Sequence, residues 1–365
     1  MVYRAIGLMS GSSLDGLDIA FAEFTEQGGH WTFEIQAADC MPYSAGWKDR
    51  LQQATALDAR EYLLLHSEYG EYTGQQVNAF IDKHKLHYKT AVIGSHGHTT
   101  FHMPDRKMTA QLGDGAAIAA QTQLPVVSDL RALDIAFGGQ GAPIVPIGEK
   151  MLLGDYTFFL NLGGIANISL NQDKYIAFDI CPANRVLNML AAKEGKEYDA
   201  GGKMAAAGTI NAVLLDELNR QSYYDLPWPK SLANEYGTNI IYPVVEKAGC
   251  TTADALATFT EHIAEQIARS AWQLINAHPV KEGARLLATG GGALNDFLLE
   301  RIQAHLLPAG ITVVKPEEKL IQYKEALIMA FIAVLRWRQE YNVISTVTGA
   351  SRNSIGGALW TGQEG

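Results

Sequence analysis

Residues 7–18 read GLMSGSSLDGLD, and the reading of this stretch decides the fold. Three glycines, three serines and two aspartates separate one short apolar run from another. Behind them, LDIAFAEF (17–24) places Leu17, Ile19 and Phe21 on alternate positions, the period of a strand, and residues 2–9 read as a strand too. The loop therefore joins strand to strand. P-loop and Rossmann turns open a helix instead, and neither GxxxxGK[ST] nor GxGxxG occurs in the chain. The chemistry of the loop still suits an oxyanion: Gly11 and Gly16 allow close backbone approach, successive N–H groups around Leu14 form an anion nest, and Ser12 and Ser13 add hydroxyl donors. Asp15 and Asp18 would repel phosphate unless a cation lay between, and Mg²⁺ held through water suits that place, with Asp15 as its contact. Taken alone, the loop favours a plainer reading, a hairpin turn closed by an Asx hydrogen bond.

Two further clusters repeat the elements. NLGGIAN (161–167) sets Gly163 and Gly164 between strands, flanked by Asn161 and Asn167. GGGALND (290–296) sets Gly290, Gly291 and Gly292 between a strand and a helix, where a helix N-terminus favours an anion. Both halves thus open on strand–glycine turn–strand, as a distant internal duplication would.

The rest of the chain bounds the answer. With 365 residues, 47% of them hydrophobic, two domains or one large α/β domain, with full cores, are expected. Lys and Arg number 29 against 39 Asp and Glu, a net charge of −10 that repels nucleic acid and anionic membrane. Three scattered cysteines fit a reducing compartment, and no apolar leader is evident, so a cytoplasmic protein is expected. ALIMAFIAVL (326–335) is half a membrane span and reads as a buried helix. Long helices are expected over 58–87 and 251–278, strands at AVIGS, LPVVSDL, KYIAFDI and ITVVKP, and a polar loop at SHGHTTFH (95–102).

The order hairpin loop, hairpin loop, strand–GGG–helix resembles the actin, Hsp70 and sugar-kinase superfamily. More narrowly, GLMSGSSLDGLD, SHGHTTFH, GGQGAPIVP (138–146), NLGGIANIS and GGGALND resemble the 1,6-anhydro-N-acetylmuramic acid kinase family, from Gly7 to the VTGA near Gly349. The resemblance implies a two-domain α/β, actin-like (duplicated ribonuclease H-like) fold with a nucleotide cleft, divided into 1–127 plus 340–365 and 128–339. It implies ATP and Mg²⁺ as cofactors. The implied reaction opens the anhydro ring with water and phosphorylates O6, within peptidoglycan recycling. An amino sugar is the expected small-molecule partner, and a second copy of the chain is the other candidate.

Residue by residue, the resemblance makes Asp179 in YIAFDICPAN the general base, with Asp129 as second choice; a cap on the helix after Pro182 is the alternative for Asp179. Cys181 and Ala183 depart from the family pattern FDTGPGN, which stiffens and fills that loop. Gly11 to Gly16, Asp18, Gly163, Gly164, Gly290 to Gly292 and Asn295 are implied for the nucleotide. His96, Thr99, Arg131 and Glu325 are implied for the sugar. Arg131 either meets the lactyl carboxylate of a muramic sugar or bridges Asp129 or Asp134, and Glu325 either faces the sugar or is a solvated first-turn glutamate. Three other readings compete: a kinase acting on a different sugar without hydrolysis, an ATP-driven clamp, and a metallohydrolase built on His96 and His98.

Overall fold

The computed structural model describes residues 1–362 except Ser12, Asp173 and Pro229; the donor expected at Ser12 lies outside the described residues. The chain divides into two units, 1–153 with 323–365, and 154–322.

In the first unit β1 (Val2–Ser10), β2 (Gly16–Gln27) and β3 (His30–Pro42) form an antiparallel meander. Next come β4 (Val92–Met103), parallel to β1, β5 (Met108–Leu112), antiparallel to β4, and β6 (Val126–Ser128), parallel to β4. The second unit repeats the plan with β7 (Phe158–Leu162), β8 (Ile165–Leu170) and β9 (Ile176–Pro182) as meander, and β10 (Arg285–Thr289) and β11 (Thr312–Val314) parallel to β7. β12 (Ala358–Trp360) returns to the first sheet beside β6. The orders β3-β2-β1-β4-β6 and β9-β8-β7-β10-β11 are the same, so the expected duplication is real at the level of topology.

Both faces of each central strand are covered, which is why β2 is buried along most of its length and not on alternate residues alone. Helix Ala59–His84, opened by Asp58 accepting the Glu61 N–H at 2.9 Å, packs Leu65, Val77 and Phe80 against Ile6, Leu8, Ile19 and Phe21. The opposite face carries helix Glu318–Trp337. Its run 326–335 is buried all round, as the all-apolar sequence requires. In this helix Phe331 lies tilted against Phe24, ring centroids 5.3 Å apart, and meets Trp31 edge to face at 5.0 Å. Its backbone lies against the sheet so closely that a Cβ on Gly7 would stand 1.8 Å from Ala326 O, and one on Gly94 would stand 2.1 Å from Met329 O. The first glycine of GLMSG is therefore a spacer for helix packing. In the second unit helix Thr252–Ala277 supplies Phe259, Ile263 and Ile267 to a core with Leu160, Ile168, Phe178 and Leu286.

Two expectations change. The units divide at 153/154 and 322/323, not at 127/128 and 339/340. Residues 128–153 stay with the first unit because Asp134 accepts from Thr348 Oγ1 at 2.7 Å and Glu149 pairs with Lys324 at 2.8 Å, both ends buried. Helix Glu318–Trp337 thus belongs to both units and breaks helical torsion at Tyr323, the first residue of the returning segment. SHGHTTFH is strand, not loop: β5 pairs it from His98 to Met103, giving Thr99, Phe101 and His102 ladder partners, with Thr100 at a register shift between them. Among the described residues no helix is long and apolar enough to cross a membrane.

Gly94→Ala forces the helix off the sheet, so it should cost at least about 1–3 kcal/mol. Gly46→Ala, inside helix Ala45–Gln53 with only Ser44 Oγ at 4.0 Å, should be neutral or stabilising. Urea unfolding reads both, and equal midpoints for Gly94→Ala and wild type would contradict the packing role.

Candidate functional site

In the first unit the β1–β2 loop is pinned from below. Leu14 turns its side chain into the core at the cost of a left-handed backbone (φ 57°), a strained state for a bulky residue that recurs at functional loops. Gly16 is the second spacer: a Cβ there would lie 2.5 Å from Met41 O. Ser13 and Asp15 are left exposed, and half-buried Gly11 has room for a Cβ, which would meet only Ser13 Oγ at 3.7 Å. Of the predicted loop residues, Gly11, Ser13 and Asp15 therefore face outward, whereas Leu14 and Gly16 hold the loop to the core.

Asp18 is one register step into β2, opposite Cys40 of β3. Burial drives its carboxyl up to about 6, the Cys40 thiol donating a hydrogen bond works against this, and Glu325 and Asp15 push further upward. Burial, followed by the nearby Asp18, carries the Cys40 thiol up to about 12, so it is no nucleophile. Glu325 has solvent access, yet its surroundings raise its carboxyl; Lys324 and then Arg131 oppose the rise.

His96 and Arg131 form a unit. His96 Nδ1 donates to Gly97 O at 2.9 Å, so Nε2 is the lone-pair nitrogen, and Arg131 Nε and Nη2 both reach it, at 3.0 and 2.7 Å. Burial and then the guanidinium depress His96 to about 4, leaving it neutral. With both nitrogens engaged, His96 has no lone pair for a metal, which removes the metallohydrolase built on His96 and His98. Arg131 makes no ion pair among the described residues. Asp134 is occupied by Thr348 Oγ1 and the Gly141 N–H, and Asp129, itself at φ 56°, accepts from Ser128 Oγ. The guanidinium is oriented by a neutral base and keeps its charge for a ligand. Thr99 is half-buried next to Gln111 on β5.

In the second unit the register sets Asn161, Asn167 and Asp179 side by side across β7, β8 and β9, all half-buried on one face, with Leu160, Ile168 and Phe178 buried on the other. Asp179 Oδ2 accepts the Leu232 N–H at 2.9 Å, its backbone N–H donates to Lys230 O at 3.0 Å, and Tyr223 OH donates to its carbonyl at 2.7 Å. Burial raises the carboxyl and the Leu232 amide draws it back. The helix that follows, Asn184–Ala192, has Ala183 at its N-cap with no side-chain cap, so Asp179 is not a capping residue. Cys181 and Ala183 are wholly buried, and burial pushes the Cys181 thiol up, so the departure from the family pattern is absorbed as packing.

The Gly163–Gly164 turn is tied to that helix start: Ala183 N–H donates to Gly164 O and Asn184 N–H to Gly163 O, at 2.8 and 3.1 Å. The triple glycine divides its work. Cβ atoms on Gly290 and Gly292 would strike Asn161 Oδ1 at 2.5 Å and Leu162 Cβ at 2.7 Å, and Gly291 and Gly292 border a cavity of about 500 Å³. Asn184, Asn188, Glu197, Tyr198 and Asn295 also line it. Asn295 Oδ1 caps helix Asp296–Leu306 by accepting the Leu298 N–H at 3.0 Å. Glu197 and Tyr198 lie in an irregular segment with no pattern to mark them, and sequence reading misses them, as it does Leu232 and Tyr223.

Two units of one strand order, each opening on a glycine hairpin, define a duplicated ribonuclease H-like α/β protein. Residues 3–362 match the family model described as anhydro-N-acetylmuramic acid kinase, and the chain belongs to that family. A relative of that name from Synechococcus elongatus is 35% identical, covering 98% of this chain and 99% of its own. One from Haemophilus influenzae is 32% identical, covering 97% of each. Among solved structures, an activator of the 2-hydroxyisocaproyl-CoA dehydratase from Clostridium difficile with bound ADPNP aligns at TM-score 0.44 and 12% identity. It covers 92% of this chain and 96% of its own, too distant a match to carry an argument.

Asp18 supplies a pH test. Its folded pKa lies above its ordinary value of 3.8, so the native state holds the extra proton between pH 3.8 and about 6. Asp18 therefore weakens the fold as pH rises through that window and by a constant amount above it. Asp18→Asn should gain stability relative to wild type from pH 4 to pH 7; thermal melts showing a pH-independent difference would refute the shift.

Proposed function

We propose that this chain is an ATP-dependent kinase that opens the 1,6-anhydro ring of N-acetylmuramic acid with water and phosphorylates O6. The product is N-acetylmuramic acid 6-phosphate, and the step belongs to peptidoglycan recycling. The observation that carries the reading, within this family, is the state of Asp179: one carboxylate oxygen is fixed by the Leu232 amide and the other has no hydrogen-bond partner among the described residues. The free oxygen takes a proton from water as that water attacks the anomeric carbon. The C1–O6 bond breaks, O6 takes the γ-phosphoryl group, and ADP leaves. A carboxylate raised by burial is a better base than an exposed one, and its anchored oxygen keeps it aimed.

The state of Arg131 supports a sugar acid: among the described residues no carboxylate pairs with its guanidinium, Glu325 acts on it only through the electrostatic field, and the lactyl carboxylate displaces no bonded partner. His96 and Thr99 line the same part of the first unit, and Glu325 is assigned to a sugar hydroxyl. Gly11, Ser12, Ser13, Asp15 and Asp18 are assigned to the β/γ-phosphate end, with Gly163 and Gly164 in the second unit. The cavity beside Gly291 is assigned to adenosine, with Gly290, Gly292 and Asn295 shaping it.

Mg²⁺ suits the first loop. Asp15 and Glu325 already push Asp18 toward protonation, a negative field that a cation relieves, and Asp15 is exposed to hold Mg²⁺ through water. Bound there, the ion would stabilise charge on the transferring phosphoryl group.

Asp179→Asn should keep ATP binding and lose ~10²–10⁴-fold in turnover. Near-normal turnover would move the base elsewhere. Product mass tests the hydrolytic half: water plus phosphate is expected, and phosphate alone would leave a plain sugar kinase. Arg131→Ala should raise KM for the muramic substrate but not for the glucosamine analogue without the lactyl group. Equal effects on both would remove the carboxylate from its role.

A further inference from the structure

Four buried groups lie head to tail beneath the first loop. Tyr69 and Tyr43 hydroxyls are 2.5 Å apart, Tyr43 OH donates to Ser10 Oγ at 2.8 Å, and Ser10 Oγ lies 3.0 Å from His98 Nδ1. None is more than 8% exposed. Each hydroxyl has one proton to give. Tyr43 gives its proton to Ser10, so Tyr69 donates to Tyr43. Ser10 then donates to His98 Nδ1, an arrangement that gives every hydroxyl proton of the chain an acceptor and strands none. His98 therefore carries its proton on Nε2, the tautomer opposite to that of His96 two residues earlier. Burial keeps His98 neutral. Bonds aligned in one direction polarise and strengthen one another.

The chain grips the loop at both ends. Ser10 is the last residue of β1, immediately before Gly11, at the point where the β1–β4 register shifts and ladder support is interrupted. Tyr43 holds the far end as well, its backbone N–H donating to Asp15 O at 3.3 Å. One tyrosine thus ties residue 10 by its hydroxyl and residue 15 by its amide, and everything upstream of Ser10 depends on an acceptor at position 98.

We propose that His98 is a positioning residue for the 11–16 loop, accepting the Ser10 hydroxyl proton so that the Tyr69–Tyr43–Ser10 chain holds the loop in its phosphate-binding form. The functional half rests on the reading of that loop under the proposed function; the tautomer does not.

The test has two arms. Nitrogen-15 NMR of the ligand-free protein should show His98 protonated at Nε2 and bare at Nδ1, with His96 the reverse; a proton on His98 Nδ1 overturns the chain. In kinetics, His98→Ala should raise KM for ATP about tenfold, as loss of a buried acceptor implies, with KM for the sugar unchanged. His98→Gln, which keeps an acceptor for Ser10, should recover most of it. Ser10→Ala combined with His98→Ala should be no worse than the poorer single variant. Equal loss in the Ala and Gln variants, or an unchanged KM for ATP, overturns the positioning role. Should His98→Ala fail to fold, Tyr43→Phe removes the donor to Ser10 alone, and an unchanged ATP KM there is equally fatal. Asp15→Asn separates the two readings: if it and His98→Ala both leave ATP binding intact while the tautomer is as stated, the loop assignment has failed and the hydrogen-bond chain stands.

Discussion

The contact on which the first unit depends is backbone against backbone. Helix Glu318–Trp337 lies on β1 and β4 with Gly7 and Gly94 beneath it, and neither position has room for one carbon more. That closeness lets a helix with apolar residues on every side be covered completely. It also brings Lys324 to Glu149 and sets Glu325 within electrostatic reach of Asp18 and Arg131. The polar residues assigned to the sugar and the phosphates hang from a frame whose tolerance is set by two hydrogens on two α-carbons.

Glycine does two jobs in this chain. In GLMSGSSLDG, Gly7 and Gly16 are spacers and Gly11 has room for a side chain; in GGG, Gly290 is a spacer, Gly291 borders the cavity and Gly292 does both. A ligand-facing glycine and a packing glycine look the same in a sequence. The pattern of clusters marks where the elements meet, and only coordinates assign the individual residues.

Much of the fold was legible. Alternation in 17–24, the apolar run 326–335 and the paired glycine hairpins foretold the strands, the buried helix and the repeated topology, because each is a local pattern with a local cause. Domain limits were not, since they follow from contacts between distant segments such as Asp134 with Thr348. SHGHTTFH looked like a loop because its histidines and glycine mask a strand that only the pairing with β5 reveals. Asp179 and Arg131 were named through family resemblance. Their hydrogen-bond anchors are Leu232 and His96, 53 and 35 residues away in the chain.

The shared helix also bears on how the protein is made. Residues 154–322 are continuous and carry their own sheet and core, whereas the first unit needs the segment from Tyr323 onward to cover one face of its sheet and to add β12. On the ribosome the second unit is complete while the first, though synthesised earlier, still has an apolar face exposed. Residues 1–153 must therefore wait, open, for residues 323–365, and the interval of greatest risk for aggregation falls while residues 154–322 are being made.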